Sequence, residues 1–170
     1  MPLVIQGAVL VEQSPQPGAL LAKANYPDRK RNRSLIPVLV VDDSEPFRQF
    51  VCSTLGERPD LQVIGEASDG LEAVRKAAEL EPALIVLDIG LPNLNGLEVA
   101  RRIRKLSPKS TILFLSQEAC FDVVQEALTL GAMGYVAKAH AGSELLVAVE
   151  AVLRNERFVS SSLKDGEGQR

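Results

Sequence analysis

Residues 83–92 read ALIVLDIGLP, and this stretch decides the fold that we expect for the chain. A continuous apolar run rich in β-branched residues is typical of a central parallel strand that is covered on both faces. The run stops at the carboxylate of Asp88, and Gly90 and Pro92 prevent the strand from continuing. We therefore expect Asp88 at the carboxyl edge of an open α/β sheet, where ligands bind. An aspartate that only begins a turn would give the same pattern.

Strand and helix signals alternate on both sides of this run. Four further short apolar runs predict strands at residues 38–41, 61–66, 111–115 and 133–136. Each strand is followed by apolar residues at helical spacing, which predict five helices. Such alternation gives a parallel sheet with helices on both faces, because the crossovers are right-handed. Neither GxGxxG nor GxxxxGK[ST] follows the first strand, which disfavours nucleotide binding.

Apolar residues at helical spacing predict the buried faces of the first three helices. These faces comprise, in chain order, Phe47, Phe50, Val51, Thr54 and Leu55; Leu71, Val74, Ala77, Ala78 and Leu80; and Leu97, Val99, Ala100, Ile103 and Leu106. The two cysteines, Cys52 and Cys120, fall in helical patterns far apart and fit reduced thiols in or near the core of a cytoplasmic protein.

The two ends of the chain differ from its centre. Residues 1–36 have no sustained period and are predicted to be a disordered extension. Its basic run, residues 28–33, could touch nucleic acid or an acidic partner, but a solvated linker is the preferred interpretation. The extension carries five basic and two acidic residues of a chain whose net charge is −3, so the rest is acidic and shows no basic face for nucleic acid. Ordered structure is expected over residues 37–155, and a flexible tail over residues 156–170.

The chain has the bulk composition of a globular protein. Of its 170 residues, 46% are hydrophobic and 24% charged. No apolar run approaches the roughly 20 residues of a membrane span, and the N-terminus lacks the basic start of a signal peptide. We therefore expect no membrane partner and a cytoplasmic location.

Polar side chains follow four of the five predicted strands. Asp42 and Asp43 end the first, Asp88 the third, Ser116 the fourth, and Lys138 lies two residues beyond the fifth. The carboxyl ends of parallel strands share one edge, where three carboxylates repel one another unless a cation joins them. Mg²⁺ suits such oxygen ligands, while the lysine and the hydroxyl suit a phosphoryl group. Together they predict phosphoryl transfer with a carboxylate as nucleophile.

The motifs VVDDS, LIVLDIGLPNLNG, ILFLS and GAMGYVAK, in this order, resemble the receiver domain of two-component response regulators over residues 37–155. The resemblance implies a flavodoxin-like (βα)5 doubly wound parallel sheet of strand order 2-1-3-4-5. It implies that Asp88 accepts a phosphoryl group from a histidine kinase or phosphotransfer protein. It also implies that Mg²⁺ is held by Asp43, Asp88 and the backbone carbonyl of Gly90, and through water by Asp42.

The same resemblance assigns a switch. Ser116 matches the switch hydroxyl, Lys138 the phosphate-pairing lysine, and Tyr135 the aromatic that rotates inward on activation, although an ordinary strand aromatic would look alike. The surface of helix 4, strand 5 and helix 5 would then bind an output protein or a second copy of the chain. Such a domain is a phosphoacceptor rather than an enzyme, apart from self-phosphorylation by small donors and autodephosphorylation.

Two positions depart from the family's pattern, and the role of a third is left open. Ala139 replaces the proline that usually follows the lysine, a variant that resembles receivers of the LuxR/NarL-like class, which normally precede a helix-turn-helix. Gln117 occupies a position that is commonly small, and we hypothesise that it narrows access to the phosphoryl group. Phe47, at the margin of helix 1, is either a core residue or a contact for the kinase.

Two alternative functions stay open. The residues after Phe158 are too few for a helix-turn-helix, so nucleic acid binding by this chain is disfavoured, and a truncated DNA-binding transcriptional regulator is the first alternative. The second is a small aspartyl-nucleophile phosphatase, but such enzymes usually carry DxD, and here Gly90 stands where the second aspartate would be. His140 is expected on the surface rather than as a phosphorelay histidine.

Overall fold

The computed structural model describes residues 34–118 and 120–164; the basic run at residues 28–33 lies outside them. Its elements are β1 (Ile36–Val41), α1 (Glu45–Gly56), β2 (Leu61–Ala67), α2 (Gly70–Leu80), β3 (Leu84–Leu87), α3 (Gly96–Leu106), β4 (Thr111–Ser116), α4 (Phe121–Thr129), β5 (Gly134–Ala137), a 3₁₀ turn (Lys138–His140), α5 (Ala141–Leu153), β6 (Phe158–Val159) and α6 (Ser161–Lys164).

The strands form one parallel sheet in the order β2-β1-β3-β4-β5-β6. The predicted order of the first five strands, 2-1-3-4-5, and the flavodoxin-like α/β class are therefore confirmed. Register aligns the carboxyl ends: Val41 pairs with Leu87, and Ser116 pairs with Ala137. The residues that follow these strands consequently start from the same edge of the sheet.

The continuous apolar run of β3, within residues 83–92, reflects a hydrophobic core on each side of the sheet. All four residues of β3 are buried. Ile85 and Leu87 belong to the cluster that includes residues of α2, α3 and α4, whereas Leu84 and Val86 belong to the cluster that includes residues of α1 and α5. Alternate side chains of a strand point to opposite faces, so a strand covered on both faces needs apolar residues at every position.

Several predicted helix-face residues prove to be exposed. Leu71 and Leu106 are each 53% exposed, and Phe50 is 39% exposed. On α2 the buried positions are Gly70, Ala73 and Ala77. Ala77 is buried as predicted, whereas Gly70 and Ala73 are more buried than the larger Leu71 and Val74 beside them, and small residues let a helix approach the sheet closely.

The cysteine prediction is wrong for Cys120. Its side chain is exposed, and the residue is the N-cap of α4, because this helix begins only at Phe121. Cys52, on α1, is half-buried beside the core as expected. Both cysteines are free thiols.

Residues 158–164, which belong to the predicted flexible tail, form regular structure; residues 165–170 of that prediction lie outside the described residues. β6 pairs in parallel with β5, and the backbone N–H of Ser160 donates to the carbonyl of Tyr135 at 2.9 Å. The Ser160 side chain is fully buried, and Leu163 is only 9% exposed. The segment satisfies backbone groups that β5 would otherwise leave unpaired as an edge strand. Within the described ranges, no helix has the length and apolar composition needed to cross a membrane.

Candidate functional site

The carboxyl edge of the sheet brings together the predicted acidic residues and the lysine. Asp42 and Asp88 directly follow β1 and β3, and the N–H of Asp88 donates to the carbonyl of Val41 at 2.9 Å. Lys138 begins the 3₁₀ turn after β5. Its Nζ lies 2.7 Å from Asp42 Oδ2 and 2.8 Å from Asp88 Oδ2. One ammonium group thus bridges two carboxylates from separate strands.

This bridge is shielded from water. Only 9% of the Lys138 side chain is exposed, against 3% for Asp42 and 6% for Asp88. Burial by itself would lower the pKa of Lys138, but hydrogen bonds and charge attraction from the two aspartates outweigh it and raise the pKa above its usual range. The lysine therefore stays a cation at neutral pH.

The environment of Asp42 disfavours the charged form of its carboxylate. Burial raises its pKa above the usual range, although Lys138 and the N–H of Ser44, 2.9 Å from Asp42 Oδ1, act in the opposite direction. Ser44 is the N-cap of α1, but its side chain makes no capping hydrogen bond. The sequence DDS thus supplies a backbone donor to the first aspartate rather than a hydroxyl cap to the helix.

Asp88 is held in a fixed orientation by its own loop. Its Oδ1 accepts the backbone N–H of Ile89 at 2.7 Å and that of Gly90 at 3.3 Å. Its Oδ2 faces Lys138. A Cβ placed at Gly90 would have Asp88 Oδ2, at 3.9 Å, as its nearest neighbour outside the adjacent residues, so the protein leaves open space over this glycine. The predicted ligand role of the Gly90 carbonyl stays a prediction.

The three aspartates form a cluster suited to a hard cation. Carboxylate oxygens of Asp42, Asp43 and Asp88 lie within 4.8 Å of one another. Three carboxylates face a single ammonium, so the cluster carries an acidic excess that a divalent cation would neutralise. The exposed Asp43 carboxylate makes no hydrogen bond with the described residues. An all-oxygen donor set with one exposed carboxylate fits Mg²⁺, which keeps several waters when it binds proteins.

Ser116 and Tyr135 meet at one backbone residue. Ser116 Oγ accepts the N–H of Glu118 at 3.2 Å, and the Tyr135 hydroxyl donates to the carbonyl of Glu118 at 2.7 Å. Tyr135 is fully buried, with its ring centroid 6.0 Å from that of Phe114, and burial raises its pKa to about 12. In this structure the tyrosine therefore points inward and contacts the loop that follows Ser116.

A cavity of about 580 Å³ opens beside these groups. Lys138 and Ser116, which are both largely buried, form part of its wall. Gln117 lies on its wall, where the predicted narrowing of access would occur. His140 also borders the cavity and is exposed, as expected. The lining residues are Ser44, Phe47, Ser116, Gln117, Ala137, Lys138, Ala139, His140 and, from the C-terminal segment, Ser162.

Two residues that support the site escaped prediction from the sequence. Arg48 Nη1 donates to the backbone carbonyl of Asp42 at 2.8 Å, and its Nε donates to Glu66 at 2.9 Å. Gly96 donates its N–H to the carbonyl of Ile89 at 2.8 Å, and a Cβ there would lie 2.1 Å from the carbonyl oxygen of Asp88. In the sequence, the one signal for either residue was a glycine directly after Asn95, the N-cap residue of α3.

Comparison with known proteins gives a consistent family. The family model described as response regulator receiver domain matches residues 38–150. The chain is 43% identical over 112 residues to a Thermotoga maritima protein named protein-glutamate methylesterase/protein-glutamine glutaminase, with 65% of this chain and 33% of that protein covered. It is 35% identical over 133 residues to the transcriptional regulatory protein LiaR of Bacillus subtilis, with 76% and 61% covered. The chain therefore spans less than two thirds of the length of these relatives.

Solved structures agree with this assignment. A LuxR-family two-component response regulator from Aurantimonas sp. is 32% identical and superposes with a TM-score of 0.74, with 78% of this chain and 94% of that chain covered. The response regulator domain of Thermotoga maritima CheB is 37% identical, with a TM-score of 0.61 and coverage of 71% and 92%.

Proposed function

Because this chain belongs to the family of response regulator receiver domains, we propose that Asp88 accepts a phosphoryl group from a histidine kinase or a phosphotransfer protein. The observation that carries the proposal is the bridge in which Lys138 Nζ contacts both Asp42 and Asp88 within 2.8 Å. A buried ammonium beside an oriented carboxylate is placed to meet a phosphoryl group that arrives at that carboxylate. We expect this exchange in the cytoplasm.

The transfer balances as a displacement at phosphorus. An oxygen of the Asp88 carboxylate forms the new O–P bond while the N–P bond of a phosphohistidine breaks, and the imidazole nitrogen leaves with the electron pair. The Oδ1 atom is held by two backbone N–H groups, so the orientation of the nucleophile costs little at the moment of reaction. Mg²⁺, when held by Asp43, Asp88 and the Gly90 carbonyl and through water by Asp42, would neutralise charge on the phosphoryl oxygens.

Lys138 and Ser116 would receive the product. The ammonium of Lys138 exchanges its contact with Asp88 Oδ2 for one with a phosphoryl oxygen, and the hydroxyl of Ser116 donates to another. Ser116 now accepts a hydrogen bond from Glu118, to which Tyr135 also bonds. Movement of Ser116 therefore reaches Tyr135 through this loop and changes the surface of α4, β5 and α5. That surface would bind an output protein or a second copy of the chain.

Labelling with acetyl phosphate tests the phosphoacceptor. Wild-type protein with Mg²⁺ is expected to gain one phosphoryl group per chain by intact mass and to shift on a phosphate-affinity gel. Asp88→Asn removes the nucleophile and abolishes the label, whereas Asp122→Asn, an exposed aspartate in the first turn of α4, is a matched control that retains it. Labelling that persists in Asp88→Asn, or that is indifferent to chelation of Mg²⁺, would contradict the proposal.

A further inference from the structure

The ammonium of Lys138 has a third neighbour besides the two aspartates. Its Nζ lies 4.7 Å from the centroid of the Phe47 ring, within the roughly 6 Å over which an aromatic face attracts a cation. Phe47 lies in the first turn of α1 and packs, half-buried, against the core cluster on that side of the sheet. The ring is therefore held by packing against apolar residues rather than by contacts with the two aspartates.

The three contacts of Lys138 differ in what phosphorylation would do to them. A phosphoryl group on Asp88 displaces the contact with Asp88 Oδ2, and a cation at the acidic cluster competes for the carboxylate of Asp42. The ring of Phe47 takes part in neither event. Its face attracts the ammonium through the ring quadrupole and offers no lone pair, so N–H donors of the lysine stay available for phosphoryl oxygens.

We propose that Phe47 is a positioning residue, whose ring holds the Lys138 ammonium in place while the carboxylate contacts are exchanged for phosphoryl contacts. The inference rests on the proposed function, because it concerns the same site. A lysine side chain has four flexible carbons and loses considerable rotamer freedom when it is fixed. The ring restricts that freedom before the phosphoryl group arrives, and faster labelling is the expected benefit.

Fluorinated phenylalanines at position 47 test the ring electrostatics with little change of shape. Progressive fluorination weakens the negative face of the ring, so the rate of labelling by acetyl phosphate is expected to fall stepwise, by about threefold to tenfold over the series. Phe47→Tyr keeps an aromatic ring and is expected to label at the wild-type rate. Phe47→Leu removes the ring and is expected to label more slowly. The matched control is Phe50, whose ring packs 5.5 Å from that of Phe47 and is 39% exposed; the same series there leaves the rate unchanged.

A double-mutant cycle separates positioning from a purely structural role. If Phe47 acts through Lys138, then Phe47→Leu has no further effect on the residual labelling rate of Lys138→Met. An equal loss of rate in that background, or a flat fluorination series at position 47, would overturn the inference. Loss of label in Asp88→Asn together with a flat series would leave the proposed function intact. Label that survives Asp88→Asn would instead reject the proposed function itself.

Discussion

Two clusters in this molecule shift the pKa of a carboxylate in opposite directions. In the cluster of Asp42, Asp43 and Asp88, burial raises the pKa of Asp42. The C-terminal segment is defined here as residues 156–164, and it contacts Glu144 on α5. Burial alone would raise the pKa of Glu144, but hydrogen bonds from Ser160 and Ser161 of this segment outweigh that effect and lower the pKa. The first cluster retains an acidic excess that a cation can relieve, whereas hydrogen bonds within the chain stabilise the negative charge of Glu144. The two carboxylates therefore differ in whether the chain itself supplies enough hydrogen bonds to offset the effect of their burial on the pKa.

The C-terminal segment nevertheless adjoins the site. Ser160 Oγ accepts the N–H of Ala137 at 3.0 Å, next to Lys138, and donates to the Glu144 carboxylate. β6 pairs along β5, and Leu163 joins the core cluster that contains Tyr135. A partner that docks on α4, β5 and α5 therefore meets this segment at the edge of β5. The stability of the C-terminal segment would then contribute to the free energy of binding at this edge.

The largest effect that we expect comes from the loop that orients Asp88. A methyl group at Gly96 would lie 2.1 Å from the Asp88 carbonyl oxygen and 2.7 Å from Ile89 Cα. Backbone atoms cannot yield as a side-chain tip can, so Gly96→Ala should lower the free energy of unfolding by about 3 kcal/mol or more. Urea unfolding measures this.

The matched control for Gly96→Ala is Gly142→Ala, in the first turn of α5. A methyl group at Gly142 meets no atom within 4 Å among the described residues, and alanine favours the helix by about 0.5–1 kcal/mol. Equal effects of the two substitutions would show that close packing around the Asp88 loop is not what distinguishes it.

Leu163→Ala tests whether the C-terminal segment is a stabilising contact. Leu163 is 9% exposed within a core cluster, and its truncation should cost about 2 kcal/mol, at the low end for core leucines because it lies at the margin. Val147→Ala, at a position on α5 that is 57% exposed, should change stability by less than about 0.5 kcal/mol. If the two variants unfold alike in urea, the segment contributes no core packing.

The sequence predicted the parts of this fold that depend on local signals. Continuous apolar strands and the carboxylates that end them made β1, β3 and the position of Asp88 predictable, because each is encoded within a few neighbouring residues. β6 has only two residues and no period, so its pairing with β5 could not be predicted. The contact between Phe47 and Lys138 joins residues far apart in sequence and depends on packing alone.

Asp42→Asn tests whether the buried carboxylate of the acidic cluster destabilises the folded protein. A carboxylate whose folded pKa is raised contributes stability that is full below its unfolded pKa and is lost as pH rises through the folded value. The substitution removes that loss and keeps an acceptor for the N–H of Ser44, so metal-free Asp42→Asn should unfold at a higher urea concentration than the wild type at pH 7.

Mg²⁺ sharpens the Asp42 experiment. The ion should raise the Tm of wild type, because a ligand that binds the native state stabilises it, and it should raise the Tm of Asp42→Asn by less. A metal-free Asp42→Asn that is less stable than wild type would show that the ion pair with Lys138 outweighs the cost of burying the carboxylate.

The smallest expected effect is the loss of the Glu144 contact. Because the folded pKa of Glu144 is lowered, its contribution is present above the unfolded pKa, about 4.3, and disappears as pH falls through the folded value. Glu144→Gln should therefore destabilise by about 0.5 kcal/mol at pH 7, a discounted value because the group is partly exposed, and by almost nothing near pH 3.

Glu156→Gln controls for the loss of one negative charge in the same segment, since Glu156 is exposed. Urea unfolding of both variants from pH 3 to pH 7 supplies the comparison, with the Glu144 deficit growing as pH rises. A Glu144→Gln deficit that is independent of pH would mean that the amide loses packing rather than charge. The hydroxyls of Ser160 and Ser161 would then not be what lowers the pKa of this carboxylate, and the contrast with Asp42 would reduce to a difference in burial.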